Sequence, residues 1–170
     1  MAAGNTYEAI FTDTLASAQA SVTFSSIPST YTDLVLIFNG GKAIAGSSVD
    51  FRFNSDSGSN YSFTELYGSG STAGSQRVSS DSYGSLAFNA VPDSGLTSTI
   101  IMNVMNYSNT TTYKTAISRN GSIGTTYPGT ETIVNLWRST AAINSITLTN
   151  SNSDNFVAGS TFSLYGIKSA

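Results

Sequence analysis

The sequence predicts an all-β fold, an antiparallel β-sandwich or jelly roll of about ten short strands. Three observations support this. The apolar segments are short and rich in Val, Ile, Phe, Tyr and Thr, which favour strands. They are bounded by Gly, Ser, Asn or Asp, which favour turns. They also recur at near-even spacing, which is typical of sandwiches.

Taken in order, the segments that meet this description lie near residues 6–11, 20–26, 32–39, 48–54, 61–67, 84–91, 97–107, 111–118, 131–138, 143–149 and 160–167. Several alternate as half-buried strands do. Val22 and Phe24 share one face of "ASVTFSSI", and Phe51 and Phe53 share one face of "SVDFRFN". "INSITLTN" likewise places Ile146 and Leu148 together.

Two segments, "LVLIF" (34–38) and "TIIMNVM" (99–105), are apolar at successive positions. This pattern predicts central strands that are covered on both faces, with another subunit as one source of cover. "TLASAQA" (14–20) is a helical candidate, and "GSGSTAG" (68–74) is predicted to be a flexible loop. Without a Pro/Ser-rich linker, we predict a sandwich domain over 21–170, preceded by an N-terminal arm or first strand over 1–20.

Composition excludes several classes of function. Only 10% of residues are charged and the net charge is −3, whereas a nucleic-acid-binding surface is basic. The chain contains neither Cys nor His, which removes disulfides, thiolate chemistry, imidazole bases and the usual zinc ligands. Its apolar runs are far too short to span a bilayer. We expect no enzyme activity, cofactor, nucleic acid or membrane.

The stretch "NSDSGSNYSFTE" (54–65) has the spacing of a calcium loop, with Asn54, Asp56, Asn60 and Glu65 as candidate ligands. The fifth position is Gly58, which lacks a side-chain ligand, and Ser rather than Gly follows it. The flanking segments also alternate as strands. We therefore favour a hairpin loop whose Asx side chains bond local backbone, with weak calcium binding as the alternative.

Aromatic residues offer a second binding hypothesis. Trp137, together with the nine tyrosines, could form a stacking platform for a sugar. The alternative, which we favour, is that Trp137 and Tyr113 fill the core or an interface between subunits, because Trp137 is predicted to lie within a strand.

Several stretches together resemble structural proteins of tailed bacteriophages, cyanophages among them. These are "ASVTFSSIPSTYTDLVL", "RFNSDSGSNYSFTELYGSGS", "MNYSNTTTYKT", "LWRSTAAINSITL" and "AGSTFSLYGIKSA". The resemblance runs from about residue 6 to the C-terminus. It implies a virion component without catalytic residues. In the family pattern Gly more often follows the Asn of the 54–65 loop, whereas Ser55 stands here.

The resemblance leaves two virion roles open. A capsid decoration (cement) protein would bind the major capsid protein on the capsid surface as a homotrimer, after synthesis in the host cytoplasm, and stabilise the shell. A tail-fibre or receptor-binding tip would recognise a host-surface glycan. We favour decoration, because the sequence has no coiled-coil heptads or repeats. Residues 1–20 are our candidate for the capsid-facing segment.

Overall fold

The computed structural model describes residues 6–43, 48–88, 98–123 and 129–168. Within them it contains a single 3-10 turn, Ser151–Ser153, and twelve strands. The strands are β1 Tyr7–Thr14, β2 Ser21–Phe24, β3 Asp33–Gly40, β4 Val49–Phe53, β5 Tyr61–Gly68, β6 Ala73–Asp81, β7 Gly84–Ala87, β8 Ser98–Met105, β9 Lys114–Ser122, β10 Gly129–Trp137, β11 Ile146–Asn150 and β12 Thr161–Ile167.

The strands form two antiparallel sheets of unequal size. The large sheet has eight strands in the order β1-β12-β3-β8-β9-β10-β5-β6, and the small sheet has four in the order β2-β11-β4-β7. The predicted all-β antiparallel sandwich is therefore confirmed. In the part of the chain that the structure describes, no helix is long and apolar enough to cross a membrane.

The core lies between the sheets and is dominated by aromatic side chains. At one end Phe38, Phe156 and Phe162 are in mutual contact, with ring centroids 4.9 to 5.4 Å apart. At the other end Phe53 packs edge-on against the Trp137 ring, with centroids 5.5 Å apart. All these rings are buried. Aromatic contacts of this kind add to the stabilisation from burial alone, and the Phe53–Trp137 pair joins the small sheet to the large one.

Strand β7, at the edge of the small sheet, is held by side chains of the large sheet. The Asn135 carboxamide accepts a hydrogen bond from the Ser85 backbone N–H (2.9 Å) and donates one to the Ser85 carbonyl (2.8 Å). The Glu131 carboxylate accepts one from the Phe88 N–H at 2.9 Å. These buried polar residues thus replace the missing neighbouring strand, which an edge inside the protein requires.

The N-terminal segment is built into the large sheet. Strand β1 pairs along β12, from Tyr7 opposite Ile167 to Thr14 opposite Thr161. Leu15, which follows β1, is buried, and its N–H donates to the Ser160 carbonyl. The helix considered for residues 14–20 is wrong: this segment is extended and bonds to the 156–160 region instead.

Strand β6 is not among the strands that the sequence predicts. Residues 68–74 were predicted to be a loop, yet β6 begins at Ala73 and pairs with β5 over nearly its whole length. Its sequence, "AGSQRVSSD", is mostly small and polar because an outermost strand has little to bury. Strand β9 begins at Lys114, later than predicted. The end of the segment predicted at 84–91 lies outside the described residues.

Candidate binding surface

The 54–60 loop joins β4 to β5 as a tight turn. Asn54 and Ser55 have positive φ angles of 52° and 57°, and the Asp56 N–H donates to the Phe53 carbonyl at 2.9 Å. Two such residues in succession are typical of hairpin turns, which favour Asn followed by Gly. The Asn54 side chain turns away from the loop: its amide donates to the Ala142 carbonyl at 2.8 Å.

The Asp56 carboxylate is the centre of this loop. It accepts hydrogen bonds from the Trp137 indole Nε1–H (2.7 Å), the Asn60 amide (2.9 Å) and the Gly58 N–H (2.9 Å). Burial acts to raise the pKa of Asp56, but these three donors together hold it below its ordinary value. The carboxylate therefore carries its charge and has N–H donors where a cation would otherwise bind.

Glu65, the last of the four calcium candidates, lies elsewhere. It is on the buried face of β5, opposite Ile133, where its carboxylate accepts a hydrogen bond from the Gln76 amide at 2.6 Å. Glu65 lies four residues beyond the first residue of β5, so about 13 Å of strand separates it from the end of the 54–60 loop. The structure therefore brings Asp56 and Asn60 together but not Asn54 or Glu65. The described residues contain no cluster of three or more acidic side chains suited to a metal.

Trp137 fills the core, as favoured from the sequence. It is 3% exposed, and its ring stacks against that of Tyr61 with centroids 6.3 Å apart. Because the ring is buried, neither of its faces is open to a sugar, and its only polar atom is bonded to Asp56. Tyr113 is 56% exposed and does not fill the core. The prediction that it belongs to an interface between subunits remains.

The outer face of the large sheet, which is the side turned away from the small sheet, is the main candidate for a binding surface. The register aligns side chains from all eight strands along this face. One such row is Ala9, Tyr165, Val35, Asn103, Ile117, Val134, Thr64 and Arg77. The next row is Thr12, Ser163, Ile37, Ile101, Arg119, Thr132, Leu66 and Ser75.

Exposed apolar side chains are concentrated on this outer face. Seven large apolar residues of the described chain are exposed; strand alternation places five of them on the outer face, and the other two, Tyr113 and Ile123, directly precede and follow β9. They are Tyr7, Leu66, Met105, Tyr113, Ile117, Ile123 and Val134. The outward side chains of the small sheet are instead polar, among them Ser21, Thr23, Arg52, Thr147 and Thr149.

Charges are few on the outer face. The charged side chains that the register directs outward from its strands are Asp33, Arg77 and Arg119, and Asp33 accepts a hydrogen bond from the Asn106 N–H at 2.7 Å. Both arginines are exposed and make no hydrogen bond or ion pair with any described residue. Arg138, at the rim, differs: its guanidinium donates to the Ser59 carbonyl at 2.8 Å.

Two shallow depressions lie on the outer face where β5 and β10 meet. The larger, of about 210 Å³, is lined by residues that include Arg77, Thr64, Val134 and Leu136. The smaller, of about 170 Å³, includes Leu66 and Thr132. Each is large enough to receive one or two side chains of a partner but not to enclose a drug-sized ligand. Shallow depressions of this size suit contact with a protein surface.

The size of the outer face also suits such a contact. Eight strands at a spacing of about 4.8 Å, and roughly 20 Å of strand length, give a projected area near 700 Å². A standard protein–protein interface buries about 800 Å² on each partner. Exposed apolar side chains gathered on one face, here Leu66, Ile117 and Val134 among polar neighbours, are a common mark of an interaction site. The sequence signal for it was the doubly apolar pattern of β3 and β8.

Comparisons with known proteins identify no relative from which function can be transferred. Neither a protein-family model nor a curated protein matches the sequence. Among solved structures, a scytalido-glutamic peptidase with a transition-state analog inhibitor is similar at 11% identity and a TM-score of 0.21. The match covers 92% of this chain and 66% of that chain, less than two thirds of its length. A likeness this weak carries no argument about fold or activity.

Proposed function

We propose that this chain is a structural protein of a tailed-phage particle, and that it is a capsid decoration protein. In this role it binds the major capsid protein on the outer shell as an oligomer, a homotrimer by the family resemblance. Its location is the capsid surface, after synthesis in the bacterial cytoplasm. The proposal assigns it no catalysis, cofactor, nucleic acid or membrane.

The observation that carries the proposal is the outer face of the large sheet. It collects exposed Leu66, Ile117 and Val134, whereas the outward face of the small sheet carries Thr23 and Thr147. A rigid sandwich with one apolar side is suited to lie flat on another protein. Burying that side across neighbouring capsid subunits would stabilise the shell, because opening the shell would then have to expose the side again.

Residues 7–14 are a strand of the large sheet, which changes how the role of the N-terminal segment is tested. Because β1 pairs along β12, deleting residues 2–12 would remove most of an edge strand and uncover β12. Loss of binding by that deletion would therefore be ambiguous. Substitution of the exposed Tyr7 by Ser probes the same segment while leaving the backbone pairing in place.

The test is to locate and count the chain in purified particles of the phage that encodes it. Quantitative mass spectrometry of intact virions and of separated heads and tails gives copy number relative to the major capsid protein. A decoration protein is expected in heads, at a fixed and high ratio to that protein. A few copies, confined to tails, would reject decoration and favour a receptor-binding tip, for which glycan-array binding is the next measurement.

A further inference from the structure

Two arginines of the outer face are available for a partner. Arg119 on β9 and Arg77 on β6 are exposed and unpaired among the described residues, in a chain whose net charge is −3. Three strand spacings and one step of two residues separate them, which places their Cα atoms about 16 Å apart. Leu66 and Val134 project from the two strands between them.

The charges of the face argue against a second copy of this chain as its occupant. Two outer faces placed together would bring four arginines into one interface. Among the described strand residues that point outward, Asp33 is the only carboxylate, and it already accepts a hydrogen bond from the Asn106 N–H. Like charges buried without partners oppose association. A partner must therefore supply the carboxylates itself.

We propose that the outer face docks a protein surface that is apolar at its centre and carries two carboxylates, which pair with Arg77 and Arg119, whose Cα atoms are about 16 Å apart. Leu66 and Val134 meet the apolar centre. The depression beside Arg77 receives a side chain of the partner. This inference rests on the proposed function, and it identifies the partner as an acidic patch on the shell protein.

A simpler role for the two arginines is to keep an exposed sheet face soluble, as charges on sheet surfaces often do. The two roles predict different results for charge reversal. Glu at either position keeps the face charged and soluble but repels carboxylates. Lys keeps the positive charge, although it loses the forked geometry of the guanidinium.

The experiment measures binding of the purified full chain to phage particles from which the chain is absent, by co-sedimentation over a range of salt concentrations. The variants are R77E, R119E, the double reversal and the double R77K/R119K change. The control is S21E/T23E, which makes the same change in net charge as one arginine reversal, at two exposed residues on the outward face of the small sheet. Circular dichroism and sedimentation velocity establish that each variant is folded and report its oligomeric state.

We expect R77E/R119E to weaken binding about tenfold or more, with R77K/R119K much closer to wild type and S21E/T23E unchanged. Wild-type binding should weaken as salt rises, whereas binding of the double reversal should not, because salt screens the repulsion between Glu and the partner's carboxylates. If wild type binds and R77E/R119E binds equally well, this inference is wrong and the proposed function stands. If wild type fails to bind particles, both are wrong. A changed oligomeric state of free R77E/R119E would instead show that a second copy occupies the face.

Discussion

Replacing Asp56 by Ala tests whether the 54–60 loop is held by hydrogen bonds rather than by a metal. The substitution removes the acceptor of three donors: Trp137 Nε1, the Asn60 amide and the Gly58 N–H. The indole nitrogen belongs to a side chain that is 3% exposed, so it loses its partner in a largely dry environment. The other two donors regain water, because the loop is at the surface.

Hydrogen bonds to a charged acceptor contribute roughly 1.5–3 kcal/mol each when buried, and much less where water can replace them. We therefore expect D56A to lower the free energy of unfolding by about 2 kcal/mol. In a chain of this size that corresponds to a fall of roughly 4–8 °C in Tm. The matched control is Ser57→Ala, an exposed residue of the same loop, which should be neutral.

The measurement is urea unfolding followed by circular dichroism, with and without millimolar calcium and after treatment with EDTA. Wild type should have the same unfolding free energy in calcium and in EDTA. Because the pKa of Asp56 is lowered in the folded state, its contribution is present above the ordinary carboxyl pKa and is lost as pH falls through the lowered value. An unchanged D56A stability, or stabilisation of wild type by calcium relative to EDTA, would show that hydrogen bonds to Asp56 do not hold the loop as described.

Three further predictions concern stability. Burial raises the pKa of Asp50 to about 7, so ionising this carboxyl lowers the free energy of unfolding by on the order of 4 kcal/mol as pH rises from about 4 to 7. Urea unfolding of D50N at both pH values should show that this loss of stability is abolished. A D50N pH profile like that of wild type would contradict the prediction. N135A leaves the Ser85 N–H and carbonyl without partners and should cost about 2–4 kcal/mol by the same assay; a cost below about 0.5 kcal/mol would exclude the bridging role. Ser55 has a φ of 57°, so S55G should raise Tm measurably, whereas a lower Tm would mean that the turn tolerates Ser without strain.

Alternation along the sequence was sufficient to predict much of the fold. Phe51 and Phe53 are buried on one side of β4 as expected, and Glu65 shares the buried face of β5 with Tyr61 and Phe63. Alternation failed for β6, because an edge strand exposed on both faces carries no apolar period. It also could not place Asn135, whose polar side chain enters the interior to bond a strand fifty positions away in sequence.

The outer face could be predicted only in part. Strands β3 and β8 are apolar at successive positions, which indicated that both faces of these central strands would be covered. However, Leu66, Ile117 and Val134 lie on three different strands, and only the register shows that they join into one surface. Sequence spacing also suggested the four-residue calcium set, which fails because Glu65 enters the strand while Asn54 turns towards residues 142–145.

The most direct test of the account is a reconstruction of the intact particle by electron cryomicroscopy, with this chain fitted as a rigid body. We expect copies on the outer shell, with the eight-stranded sheet facing the capsid protein. Carboxylates of the capsid protein should lie within hydrogen-bonding reach of Arg77 and Arg119. Copies found only on the tail, or shell-bound copies whose outer face is turned to solvent, would contradict it.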